Sequence, residues 1–434
     1  MKKLYNIFLV LAITGIVSIR FIFAMEDSVN QSKIANNLFV DGVVSAELKG
    51  RTCVLNKNGE IIAELKNPNP NYNYGSSLGR FTPDGIAVYY TDFYWHPSEV
   101  GMYMQGYVNT KGEIIVPPDF TYAEDFNNGL AVVVSDKGAG IINTDGEYVI
   151  DPRFNSIKSF ENDKYAPAKQ GEKWGYINKK GDFVIAPQFD DARSFGGGKY
   201  AVVMFYGDPV RKIDYKYGII DRNGKFIVEP EYSSIKKPYG DITIVDEREV
   251  LKSTRIVHHY SLLNIKTGEK IPIDYENIGE FDENGLALVY RFAKWGYINT
   301  KGKEIIPLKY RKIKAFENGL AVVQTKDKTW GYINTKGEMI MEFDEFDDLG
   351  HMHNGMAWFR IGEKIGYINE QGEVVIEPKL SWFLVNNMFE GRDFCDDGYT
   401  VVIVETQDTN EPHKQGVIDK QGNFIIEPIY DWIR

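Results

Sequence analysis

Apolar and polar residues alternate along this chain in short bursts, and glycine, asparagine and proline break the bursts at regular intervals. In KWGYINKKGDFVIAPQFD, residues Lys173 to Asp190, Trp174 and Tyr176 fall on one face of a strand and Gly175 and Ile177 on the other. A turn at Lys179-Lys180-Gly181 follows, and then a second apolar run that ends near Pro187. Period-two runs of this length predict half-buried strands. The chain should be more than about 40% strand, with very little helix.

Near-copies return at Lys294 (KWGYINTKGKEIIPLKY) and Thr329 (TWGYINTKGEMIMEFDEF). Alignment on the turn glycine gives ten copies, at Gly59, Gly112, Gly146, Gly181, Gly224, Gly268, Gly302, Gly337, Gly372 and Gly422, mostly 34 or 35 residues apart. In Asn299-Thr300-Lys301-Gly302, Asn opens a type I turn and Gly takes the left-handed position of a three-residue hairpin with a bulge. Pro117, Pro152, Pro187, Pro230, Pro307, Pro378 and Pro428 are expected to end the second strand. A connector such as Lys314-Ala315-Phe316-Glu317-Asn318-Gly319 then tucks its Phe under the unit and leads to a third strand, Leu320-Ala321-Val322-Val323. A lone three-stranded meander cannot bury both faces, whereas a stack of them can. The Trp slot varies, but the following Gly slot fails only at Cys53 and Ser261. The expected stacking rule sets this thin face against a neighbour's aromatic layer.

Bulk properties narrow the function. The 434 residues exceed one ordinary core, and 43% hydrophobic content with 27 Tyr and 25 Phe suits strands. A net charge of −11 argues against nucleic acid or an anionic membrane surface as partner. The N-terminus carries Lys2 and Lys3, an apolar run from Ile7 to Ile19, and Ala24 at a cut position, the anatomy of a signal peptide over residues 1–24. A polar linker, 25–38, and a repeat array, 39–434, follow, and the protein is expected to be secreted or envelope-associated. It would meet a membrane only if the leader stays uncleaved. Cys53 and Cys395 exclude a disulfide framework, leaving one long-range disulfide or two free thiols.

KWGYINxKG, followed by IxPxYD and FxNGLAxV, resembles the bacterial WG-repeat (KWG-repeat) family across about residues 50 to 434. The resemblance implies an all-β tandem repeat, frequent on envelope or secreted proteins, with no enzymatic residues to carry over. The chain opens on one complete unit and leaves on another, and ten units exceed the usual blade number of a propeller. The expected fold is therefore all-β, a tandem array of about ten three-stranded antiparallel meanders, open or superhelical. A β-propeller-like ring is the alternative.

Catalytic patterns dissolve on placement. Ser233-Ser234-Ile235-Lys236 and Lys266-Thr267-Gly268 imitate two marks of penicillin-interacting enzymes, but one follows a strand and the other is the repeat's turn. His351-Met352-His353 lacks further metal ligands, with Met352 in the connector's Phe slot, and the acidic run Glu342 to Asp348 lacks a calcium loop. No catalytic, cofactor-binding or metal residue is assigned, no cofactor is expected, and the protein is read as a non-enzyme.

Four copies lengthen the same hairpin, at Thr91 to Met104, Tyr206 to Lys216, Asp246 to His259 and Glu405 to Lys414. Insertions at one hairpin project from one edge of the array. Phe93, Tyr94, Trp95, Tyr103 and Met104 are the candidate partner-binding residues, with a protein as the expected partner and a cell-wall polysaccharide as the alternative.

Overall fold

The computed structural model describes residues 37–65, 76–92, 103–208, 210, 213–250, 256–381, 393–407 and 413–434, all strand, turn and loop. The expected signal peptide, 1–24, lies outside the described residues. Each unit is an antiparallel sheet, numbered here as blades 1 to 10. In blade 4 the order across the sheet is Ser156–Ile157, Ala166–Gln170, Lys173–Ile177, Phe183–Phe189. Among the described residues nine blades have four strands and blade 10 has three.

The added strand, two residues long in most blades and longer in blades 7 and 8, is not revealed by the sequence pattern. In blade 4 it follows the outer strand of blade 3 after a single residue, Asn155, yet it pairs within its own blade. Among the described residues, all blades but blade 10 take such a strand from the end of the preceding unit. The final pair, Trp432–Ile433, is left for blade 1, where Trp432 pairs with Glu47 and Ile433 with Ala46. This closes the ring and overturns the expected open array of three-stranded meanders; the protein is a ten-bladed β-propeller. Around the seam, Tyr430 Oη donates to the Gly59 carbonyl at 3.0 Å, and Leu38, Phe39, Val44, Ile426 and Ile433 form one buried cluster.

The hairpin turns form as expected. Gly302 N–H donates to the Asn299 carbonyl at 2.9 Å with φ of +76°, and Asn299 Oδ1 accepts the N–H groups of Lys301 and Lys303. Two other expectations need correction. Pro187 does not end its strand: it sits inside it, in a bulge between the pairs Tyr176↔Ile185 and Trp174↔Phe189, on an outer edge with no ladder bond to lose. The Gly slot does not face a neighbour's aromatics either. A Cβ on Gly140 would lie 2.7 Å from the Ile150 carbonyl oxygen and 3.0 Å from Pro152 N, both in the outer strand of the same blade. The tight contact is backbone on backbone within one sheet.

The core lies between blades. The Tyr that follows the Gly slot packs at a tilt against the connector Phe of the next blade, as in Tyr107–Phe126, Tyr176–Phe195 and Tyr297–Phe316, with centroids 4.7, 4.9 and 5.0 Å apart. Its hydroxyl donates across the same gap, from Tyr176 to the Arg193 carbonyl at 2.8 Å and from Tyr332 to the Gly350 carbonyl at 2.7 Å. Tyr332→Phe should therefore cost about 1–2 kcal/mol, read as a lower urea midpoint. An unchanged midpoint would show that the tie contributes nothing. Cys53 and Cys395 are both free thiols; burial pushes each up to about 11, which keeps them unreactive near neutral pH.

Candidate functional site

Inner strands and connectors of blades 4 to 9, from Lys158 to His351, surround one central cavity of about 1090 Å³. Its wall is mixed: Phe195, Trp295 and Phe316 stand beside Lys158, Arg193 and Glu317. The size suits a side chain or short segment of a ligand.

A repeated cation organises the wall. The third residue of the inner run in one blade reaches a carbonyl on the inner run of the next: Lys158 Nζ to Ala192 at 2.8 Å, Arg193 Nη1 to Ile235 at 3.3 Å, Lys314 Nζ to Leu349, and Arg434 Nη1 to Leu78 at 3.3 Å. In blades 4, 5 and 8 the same cation lies over the aromatic residue of its own blade's Trp slot. Lys158 is 4.6 Å from the Trp174 ring, Arg193 is 5.9 Å from Tyr217, and Lys314 is 5.8 Å from Trp330. Carboxylates complete two of the ties, Asp191 at 2.8 Å from Lys158 and Asp348 at 3.6 Å from Lys314. Trp174 and Trp330 are therefore structural, each set between a cation and the core.

Connectors and turns share the opposite end of the blades from the long hairpins, since successive strand ends alternate between two faces. There Asp163, whose side chain is 1% exposed, takes both forks of Arg222 from the next blade, at 2.8 and 2.7 Å. Burial pushes the Asp163 carboxyl up, but Arg222 and the N–H groups of Tyr165 and Gly197 outweigh it and hold it at about 2. The neighbouring Glu124 has no ion pair among the described residues, and burial, then Asp125 and Glu161, push it up to about 7. Glu124 and Asp163 both line a smaller cavity of about 260 Å³.

His351 lines the central cavity with its Nδ1 unbonded and 3.8 Å from Glu317, and burial, with Lys314 and His353 adding, pulls it down to about 3. Met352 fills the Phe slot as read from sequence. Among the described residues no group of three or more His, Cys, Asp or Glu is placed to hold a metal ion.

Four long hairpins rise from the other face. Strand pairing runs out to Asp92↔Tyr103 in blade 2, Asp208↔Ile213 in blade 5 and Glu405↔His413 in blade 10, and blade 6 adds a small hairpin, Glu249–Val250 with Ile256–Val257. Of the sequence-nominated residues, Phe93, Tyr94 and Trp95 lie outside the described residues. Tyr103 begins the returning strand, and Met104 is partly buried with its carbonyl accepting Thr91 Oγ1. The blade 5 hairpin, Tyr206 to Lys216, was among the four expected, but none of its residues was nominated; there Val210 is 91% exposed and Tyr206 and Tyr215 pair at 5.7 Å. It also missed the central cavity, whose lining is scattered over six repeats; the recurring Ile-Lys and Ala-Arg steps after the outer strands were its one available signal.

The sequence matches the family described as WG containing repeat at residues 106–137, 140–174, 174–207, 217–247, 295–328, 330–364, 365–391 and 416–434. No curated protein matches it significantly. Among solved structures it is similar to a eukaryotic initiation factor, at 6% identity and a TM-score of 0.47, over 90% of this chain and 98% of that one. It is also similar to BamB from Moraxella catarrhalis, at 10% identity and a TM-score of 0.28, over 68% of this chain and 87% of that one. Likenesses this distant carry no argument about function.

Proposed function

Because the chain belongs to the WG-repeat family, whose pattern covers more than half of its residues, and folds as a ten-bladed propeller, we propose that it is a non-enzymatic interaction scaffold. In this reading it is exported to the cell envelope by its N-terminal leader and holds a protein partner on the face from which its long hairpins rise.

The observation that carries the reading is the shared placement of those hairpins. A closed ring fixes their spacing, so hairpins from blades 2, 5, 6 and 10 act as parts of one rigid surface and not as independent loops. Exposed Val210 and Tyr215 supply apolar contact there, as interface anchors require.

Shortening Thr91 to Met104 to a four-residue turn tests this. Loop closure changes little with length, so the melting temperature should stay within a few degrees, while a partner cross-linked by the intact mature protein should be lost. Unfolding of the shortened protein would show instead that Phe93, Tyr94 and Trp95 cover the blades. Retention of both versions on wall glycan alone would replace the protein partner with a polysaccharide.

A further inference from the structure

Blade 7 breaks the cation rule of the central cavity. Its inner run is Asn277-Ile278-Gly279, so glycine stands where blades 4, 5 and 8 carry Lys158, Arg193 and Lys314. Its Trp slot nevertheless holds a tryptophan, Trp295, which lines the cavity and is only partly buried. Tyr290 covers part of the indole at 4.6 Å between centroids, and residue 279 offers no side chain to cover the rest.

The fold does not require this glycine. Gly279 does not have a positive φ, and a Cβ built on it would meet nothing closer than the Cβ of Leu288 at 3.6 Å, ordinary contact. Gly350, at the same position in blade 9, differs: a Cβ there would run into the Trp358 indole. Packing explains one glycine and leaves the other open.

We infer that the space over Trp295 is a binding seat for an organic cation, an alkylammonium or guanidinium head such as a lysine or arginine side chain supplies. The seat reproduces the internal pairs of the sister blades with the cation taken from outside. The indole provides the cation–π surface. The Ile313 carbonyl occupies the place at which Ala192, Ile235 and Leu349 receive the cation in other blades, and residue 279 gives it none. Two carboxylates, Asp282 and Glu317, also line the cavity. Asp282 accepts the N–H groups of Asn284 and Leu286 through Oδ1, while its Oδ2 is buried without a hydrogen bond; Glu317 lies on the next connector. A neutral head would forgo the cation–π contact with the indole. This site lies on the cavity and is independent of the hairpin-face reading, so either can fail alone.

The test is titration of the full protein with N-acetyl-lysine amide, with free n-butylammonium as a second arm and N-acetyl-ε-acetyl-lysine amide as the neutral control, followed by calorimetry or NMR. Saturable binding of the lysine probe, at least about tenfold tighter than its acetylated form, is expected from the loss of the cation. Stronger binding of the lysine amide than of butylammonium points to a peptide side chain as the source, and equal binding to a free amine; both support the seat. Gly279→Lys should abolish binding by placing an internal amine over Trp295, without lowering the melting temperature, and Gly279→Ala, which fits the same space, should bind as wild type. Absence of saturable binding, equal binding of the acetylated probe, or full binding by a folded Gly279→Lys protein would overturn the proposal.

Discussion

Asparagine at position 163 should destabilise the ring by about 3–5 kcal/mol, among the largest losses expected from a single side chain, because it leaves the Arg222 guanidinium in a buried setting without its counter-charge. Asp163 sits on the connector of blade 4, and Arg222 on the turn of blade 5, where its Nε also donates to the Gly198 carbonyl at 2.9 Å. One carboxylate therefore fastens a connector and a turn from adjacent blades. Arg222 is a quarter exposed and keeps some access to water, which places the loss near the lower end of that range. A double replacement, Asp163→Asn with Arg222→Gln, should cost less than the sum of the two singles, since the stranded charge is then gone. Additive losses would show that the two groups do not act as a pair.

The same carboxylate sets an acid limit. With its folded value depressed to about 2 against an ordinary value near 4, Asp163 contributes stability that is present above pH 4 and is lost as pH falls toward 2, about 2 kcal/mol in all. Glu124 has the opposite sign. Its folded value is raised to about 7, so the folded state is favoured while Glu124 is protonated, and stability falls as pH rises from about 4.5 to 7. Wild type should lose stability across that window, and Glu124→Gln should flatten the loss without altering the acid limb. A variant that follows the wild-type curve throughout would contradict the role given to Glu124.

Alanine at position 140 should be costly for a different reason. The new Cβ meets the Ile150 carbonyl at 2.7 Å, and a backbone atom held in a bulged strand cannot swing away as a side chain can. The loss should reach about 3 kcal/mol, the upper part of the range for overpacking. Trp330→Tyr, at a slot that already holds Tyr217 and Tyr260 in other blades, should cost about 1 kcal/mol, although Trp330 is buried. Urea melts of the two variants decide the matter: similar losses would show that the two slots do not differ in clearance.

Much of this architecture was legible in the residues themselves. Asn299 to Gly302 determines a hairpin wherever it stands, because the side-chain oxygen of Asn and the left-handed glycine act over four residues and need no partner. The strand alternation, the buried connector phenylalanines and the unit count of ten follow from equally local rules. The intolerance of the Gly slot was readable too, as a pattern, but its cause was not: the atom that forbids a side chain on Gly140 belongs to a residue ten positions away, brought there by a bulge.

What only the tertiary structure decided is how the units join. Ser156–Ile157 and Trp432–Ile433 are too short to show a period, and nothing local tells which sheet they enter. Their pairing depends on a neighbour's edge, and for Trp432 that edge is almost the whole chain away, at Glu47. Ring against open array was therefore settled by one long-range strand pair, and the cavity followed from it. Lys158, Arg193, Gly279 and Lys314 are separated by dozens of residues and read singly as ordinary surface positions. Closure turns them toward one space, and only there does the glycine stand out as the place where a cation is missing.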